Sequence, residues 1–415
     1  MFGNFISRGS ALFNRFGWAF LALNLPQFSQ TLVSFLVAPF LEPRDLGLVA
    51  LAAAVVLFFE NLRDAGLPEA VLREERPSEG FLSAAALFLF AGGCFWALVL
   101  VAVGDQVAKI LGDPTLKEIL PVLALLLPLE GLNRIQIAHL MKQYAYRKLF
   151  FCQLLPLVFS LPLTFYLAKR GMGYWALVYG GIAAATVRTV AFLTLWHPRL
   201  RKLDGLKLRK GLLFGIHIVW QFLLGWAHVN TLRFLIGYFL GPSTLGLLSF
   251  GLGLGWRPLQ FLALPILKIA LPRFAELRRD PQNLRRTYSK FLKRTVSLAW
   301  IWTFLVVLSV PPLIPKIFGV QWKAAAPLVR FFAVLAAVQS FGWLTVELFK
   351  ALGRPQVISK FTLLQLVFSL PLYATVIPAG LETFLKAFFC VETISSMILL
   401  LLAWRILKKG DKKGG

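Results

Sequence analysis

The chain has 415 residues, of which 58% are apolar and 14% aromatic while only 15% are charged, and its mean hydropathy is +0.72. No water-soluble fold has that balance: at about 20 residues per crossing the apolar residues suffice for up to roughly twelve membrane helices, which leaves little chain for a soluble catalytic or binding domain. The net charge of +25 would suggest nucleic acid in a soluble protein, but multispanning membrane proteins collect Lys and Arg in their inner loops, so no nucleic-acid partner is expected.

Taken in chain order, continuous apolar runs mark spans at 18–41, 46–62, 81–103, 119–138, 149–168 and 174–196. A basic stretch at 197–211 follows, then runs at 212–240, 245–270, 295–313, 324–348, 359–377 and 385–406. The runs do not alternate in polarity, which excludes an outer-membrane barrel. No small-residue cleavage site follows the first run, so it reads as an uncleaved span. Cys94, Cys152 and Cys390 lie in apolar stretches without metal or redox spacing and read as packing residues; no metal or cofactor is expected. With the N-terminus inside, cytoplasmic segments hold 31 Lys and Arg against 7 outside, which predicts that both termini are cytoplasmic. The basic runs at 199–210 and 273–294 are also placed to touch anionic membrane lipids.

The chain also repeats itself. Residues 35–48 match 234–247 at an offset of 199 with eight identities in fourteen, and 154–163 match 363–372 at an offset of 209 with nine in ten. Six runs per repeat is an even number, so both halves start on the same side of the membrane. The expectation is an all-α integral membrane protein with about twelve transmembrane helices in two parallel six-helix lobes around a central cavity. The domains are then an N-terminal lobe 1–198, a cytoplasmic basic connector 199–211, and a C-terminal lobe 212–415 with a short basic tail. Such lobes suit alternating access.

The loop after the second run does not match the motif of the major facilitator transporters. It holds Asp64-Ala-Gly-Leu-Pro-Glu-Ala70; with Leu41-Glu-Pro-Arg-Asp-Leu-Gly-Leu-Val-Ala50 and Arg170-Gly-Met-Gly-Tyr-Trp-Ala-Leu-Val178 it resembles the polysaccharide and O-antigen flippases of the multidrug/oligosaccharidyl-lipid/polysaccharide exporter superfamily. The segment Leu72-Arg-Glu-Glu75 departs from the uncharged stretch of many relatives. The resemblance implies a transporter in a prokaryotic inner membrane, not an enzyme. Such a protein moves a polyprenyl-diphosphate-linked oligosaccharide to the outer leaflet, alongside other polysaccharide-assembly proteins. A multidrug or metabolite antiporter is the alternative, and a polysaccharide polymerase or ligase is disfavoured because the external loops are short.

A charge at bilayer depth needs a partner, a water-filled cavity or a ligand. Arg134 stands four residues after Glu130 and is positioned to pair with it. Arg188, Arg233, Arg257 and Arg330 have no acidic residue at helical spacing, and Arg188 is close enough to a cytoplasmic end to snorkel. Guanidinium forks match diphosphate oxygens, so Arg233, Arg257, Arg330 and Arg134 are expected to line the substrate cavity. On the first helix Asn24, Gln27, Thr31 and Ser34 form one polar stripe. The 199-residue offset carries Thr31 onto Asn230 and Ser34 onto Arg233, making Arg233 the first choice for an anionic headgroup. Pro26 is positioned to bend that helix. Glu130, Glu60, Asp64 and Glu347 are expected at coupling or gate positions. Glu392 is a further acidic candidate for proton or cation coupling, with His139, His217 and His228 as titratable alternatives, and His217, Gln221, His228 and Thr231 share one helix face.

Overall fold

The computed structural model describes residues 2–199, 203–278 and 280–411. Residues 200–202 of the basic connector lie outside the described ones, as do the side chains of His217, Gln221 and His228. Among the described residues there is no strand; fourteen α-helices follow one another, with short 3-10 turns between some of them. They are α1 Phe2–Val37, α2 Pro43–Asp64, α3 Leu67–Arg73, α4 Glu79–Leu111, α5 Leu116–Ala124, α6 Leu126–Lys142, α7 Tyr146–Lys169, α8 Tyr174–Leu195, α9 Gly205–Gly255, α10 Arg257–Glu276, α11 Pro281–Ile317, α12 Ala326–Ala351, α13 Pro355–Val376 and α14 Leu381–Asp411. Eleven of the described segments are long and apolar enough to cross a membrane, and the chain is an all-α integral membrane protein. Many large apolar side chains point outward, Leu98 at 71% and Phe368 at 70% exposure among them, as they do where the surrounding solvent is lipid.

Local chemistry sets the ends of these helices. At the start of α2 the Glu42 backbone N–H donates to Asp45 Oδ2 at 2.9 Å, Pro43 takes the first position, and a reciprocal capping box closes the turn. The helix stops where Ala65 and Gly66 enter the left-handed region, at φ 46° and 69°. Ser78 caps α4 by accepting from the Phe81 N–H, and Asp280 caps α11 by accepting from the Asn283 N–H.

Two regions differ from the expected spans. The fourth apolar run is divided into α5 and α6, and neither piece is a candidate span by itself. Pro128 explains the division: it has no N–H to donate to the Ala124 carbonyl, so the helical ladder breaks one turn before it. The seventh and eighth runs are interrupted differently. Gly241, at φ 82° and ψ 162°, breaks α9 immediately before Pro242, at the repeat position of Glu42-Pro43. The eighth run then continues to Gly255 and bends at Trp256, after which Arg257 and Pro258 begin α10.

The helices form two compact units, one up to Phe234 and one from Leu235 on. In the first, α4 packs on α6 through small residues. A Cβ on Gly93 would meet the Leu127 carbonyl and Pro128, and one on Gly131 would meet the Leu89 carbonyl, so both glycines permit close backbone approach. The first part of α9 also belongs to this unit. Gly215 lies against the Ala65–Gly66 backbone, and the Trp226 indole N–H donates to the Ala54 carbonyl at 2.9 Å while its ring contacts Phe58. In the second unit α12 is central, packed by α10, α11 and α14. Phe250 stacks on the fully buried Trp322 with centroids 4.3 Å apart.

Candidate functional site

The first unit gathers six charged side chains from α2, α6 and α8. Arg63, whose side chain has 0% exposure, donates from Nε and Nη2 to Asp64 Oδ1 at 3.0 and 2.6 Å and from Nη1 to the Leu127 carbonyl at the α5–α6 break. Arg134 reaches across from α6: Nη2 stands 3.3 Å from Glu60 Oε2 and Nε 3.2 Å from Asp64 Oδ2. Arg188 on α8 donates to Glu130 Oε1 at 2.6 Å, and Asn133 donates to the other oxygen. Three guanidinium groups therefore face three carboxylates, and the cluster as a whole is neutral.

This differs from the pairing expected within α6. Glu130 takes Arg188 in place of Arg134, and Arg188 points to a carboxylate where snorkelling was expected. The reason is geometric. Glu60 and Asp64 are one helical turn apart on α2, so together they present an acidic edge that the Arg134 fork spans. Glu130 is left facing α8.

The remaining expected residues are spread over both units. On α1, Asn24 donates to the Phe20 carbonyl, Thr31 to that of Gln27 and Ser34 to that of Gln30; Gln27 is exposed. These side chains thus back-bond to their own helix. On α9, the buried Asn230 donates to the Trp226 carbonyl at 3.0 Å and accepts from Arg233 Nη1 at 2.9 Å. In the second unit, Arg257 is half-buried at the first position of α10, Arg330 is exposed on α12, and Glu347 pairs with Lys350 at 2.7 Å. His139 lies on α6 beside Gln143, 2.8 Å away. Among the described residues no group of three or more His, Cys, Asp and Glu is placed to hold a metal ion.

Glu392, an acidic candidate from the sequence, lies on α14 in the second unit. It accepts from Gln339 Nε2 at 2.8 Å and from Gln365 Nε2 at 3.0 Å, and Trp256 Nε1 donates to Gln339 Oε1 at 2.6 Å. The partners are neutral amides on other helices, so no charge pattern announced them.

The sequence profile of polysaccharide biosynthesis proteins matches residues 36–327. The chain belongs to this family. It is similar to the succinoglycan biosynthesis transport protein ExoT of Rhizobium meliloti, 23% identical over 80% of this chain and 67% of that one. It is also similar to the lipopolysaccharide biosynthesis protein WzxC of Escherichia coli, 19% identical over 81% and 69%. Among solved structures it resembles an inward-facing multidrug resistance transporter of the MATE family and MOP superfamily, at a TM-score of 0.75 and 14% identity over 96% of this chain and 100% of that one. A second likeness is to a MOP superfamily transporter from Pyrococcus furiosus, at 0.55 and 13% over 95% and 94%. This polysaccharide biosynthesis protein is thus a multi-pass membrane transporter with a MATE-like fold, as its loop motifs led one to expect.

Proposed function

We propose that this transporter flips a polyprenyl-diphosphate-linked oligosaccharide from the cytoplasmic to the outer leaflet of a prokaryotic inner membrane by alternating access, with both of its termini cytoplasmic. The observation that carries the reading is the placement of Arg257. It sits half-buried at the first position of α10, after the bend at Trp256, and offers a guanidinium fork. A diphosphate is the kind of group that such a fork holds. Arg233 and Arg330 are the further anion-holding candidates, with Asn230 orienting Arg233 through its side-chain oxygen. Arg134 holds a different position in this reading. Its charge is matched by Glu60 and Asp64, so it organises the first unit and does not carry the headgroup. The kinship with ExoT and WzxC supports a polysaccharide precursor over a drug, whereas the likeness to MATE structures concerns fold alone.

The test is deletion of the gene followed by complementation. Loss of the transporter should leave the lipid-linked oligosaccharide accumulated on the cytoplasmic leaflet, and the wild-type gene should clear it. Arg257→Ala should express normally and fail to clear it, and Arg257→Lys should restore part of the activity, because a point charge lacks the fork. Full clearance by Arg257→Ala together with Arg233→Ala and Arg330→Ala would refute the assignment.

A further inference from the structure

The two halves of the chain treat one position in opposite ways. The 209-residue offset that aligns the second repeat block carries Glu130 onto Gln339. In the first unit Glu130 is neutralised by Arg188. In the second, the acid is Glu392, and among the described residues it forms no ion pair; it accepts only from the amides of Gln339 and Gln365. Gln365 is the single difference in the ten-residue block, standing where the first half has Pro156. The second half thus has an amide donor aimed at a carboxylate that, among the described residues, has no cation.

We propose that Glu392 is a proton-binding site of the second unit and that its protonation is coupled to transport. The inference rests on the transport reading above and names its coupling ion.

The orientation of Gln339 favours a proton over a metal cation, and two further features describe the surroundings of the acid. Trp256 Nε1 is a donor only, so the atom of Gln339 facing it at 2.6 Å must be the carbonyl oxygen, and the Gln339 NH2 must face Glu392. That fixed N–H would meet a sodium ion with the wrong sign, whereas a proton needs no oxygen cage. Glu392 as a residue is half-buried, not sealed in the core. Tyr373 on α13 is 4% exposed, its hydroxyl has no hydrogen-bond partner, and it interacts electrostatically with Glu392. It lies two helical turns nearer the 377–380 turn than Gln365 does, which places a hydroxyl between that end of the helix pair and the acid.

Of the elements packed against α14, α12 presents Gln339 and α13 presents Gln365 and Tyr373. No Lys, Arg, His, Asp or second Glu from α11, α12 or α13 pairs with Glu392 among the described residues.

Protonation has a defined consequence. The carboxylate takes up one proton and one of its oxygens becomes a donor and a weaker acceptor, so the amide facing that oxygen is held less tightly or turns its carbonyl toward the acid. Gln339 is held by Trp256 and cannot turn without orphaning the indole N–H. Gln365 is free to turn. Proton binding therefore changes the α13–α14 contact and leaves the α12–α14 contact in place.

The experiment uses the purified full chain and infrared difference spectroscopy across a pH titration. Wild type should show a carboxylic-acid band that grows as pH falls, that is missing from Glu392→Gln, and that sodium does not displace. Glu392→Asp should retain a titrating band. In the deletion strain, Glu392→Gln should lose clearance of the lipid-linked oligosaccharide and Glu392→Asp should keep part of it. Clearance by wild type should collapse with a protonophore and survive removal of sodium. A band unchanged in Glu392→Gln, displacement of the band by sodium, or normal clearance by Glu392→Gln would each overturn the proposal. If Glu392→Gln does not fold, Gln365→Leu serves in its place, and an unaltered titration in that variant would count equally against it. A wild-type chain that shows the titrating band but clears no lipid-linked oligosaccharide would refute the substrate assignment while leaving the proton site standing.

Discussion

Replacing Arg63 by Met tests whether the neutral six-charge cluster holds the first unit together. The substitution keeps a long side chain but removes three donated hydrogen bonds, two to Asp64 and one to the Leu127 carbonyl, and it leaves three carboxylates facing two guanidinium groups. Truncating one partner of a buried pair costs about 3–5 kcal/mol, and the full burial of the Arg63 side chain places it at the upper end. In Arg63→Met/Asp64→Asn the cluster returns to neutrality, with Arg134 still on Glu60 and Arg188 still on Glu130. The double variant should therefore recover about 2 kcal/mol of the loss, a coupling within the range found for contacting residues. Both are measurable as unfolding midpoints of the purified protein in mixed micelles, alongside single Asp64→Asn to close the cycle. A loss below about 1 kcal/mol for Arg63→Met, or a double variant no better than the worse single one, would refute a structural role resting on charge balance.

Three further outcomes are expected. At the turn between α4 and α5, burial pushes Asp113 up, but hydrogen bonds from Arg44 and Thr115 outweigh it and hold the carboxyl below its ordinary 3.8. Its contribution to stability is then fully present above that value and lost as pH falls through the lower folded value, and Asp113→Asn should abolish this part of the acid dependence in pH-resolved unfolding. Gly215→Ala would drive a Cβ into the Ala65 carbonyl, so it should destabilise the first unit by about 1–3 kcal/mol, whereas Gly225→Ala, where nothing lies within 4 Å, should be tolerated; detergent stability of the two variants gives the comparison. Leu203→Cys in the basic connector should resist an impermeant thiol reagent in intact cells and react after permeabilisation, while labelling in intact cells would reverse the orientation proposed from the charge bias.

Much of the fold was legible because lipid as solvent demands continuous apolar runs, and the helices follow those runs closely. The fourth run was less so, since Glu130, Asn133, Arg134, Gln136 and His139 crowd α6 and Pro128 parts it from α5. Local spacing also misled at Arg134. Glu130 was visible four residues away, but Glu60 and Asp64, about seventy residues earlier, reach it only through the packing of α2 on α6. Glu392 was visible as an acid, but its surroundings were not, for a related reason. Its partners are amides that carry no charge, and only the Trp256 contact fixes which way Gln339 points.

The α9 helix has a consequence for how the chain divides. The sequence repeat led to an expected boundary at the basic connector, yet the seam between the packing units falls after Phe234, within an unbroken stretch of helix. Residues 205–234 precede the second repeat block in sequence but pack with the first unit, much as an element exchanged in a domain swap does. Two fragments separated at the connector would leave the Gly66 backbone and the Ala54 carbonyl without the glycine and indole that cover them. A division of the chain that respects its packing therefore falls after Phe234 and not at the connector.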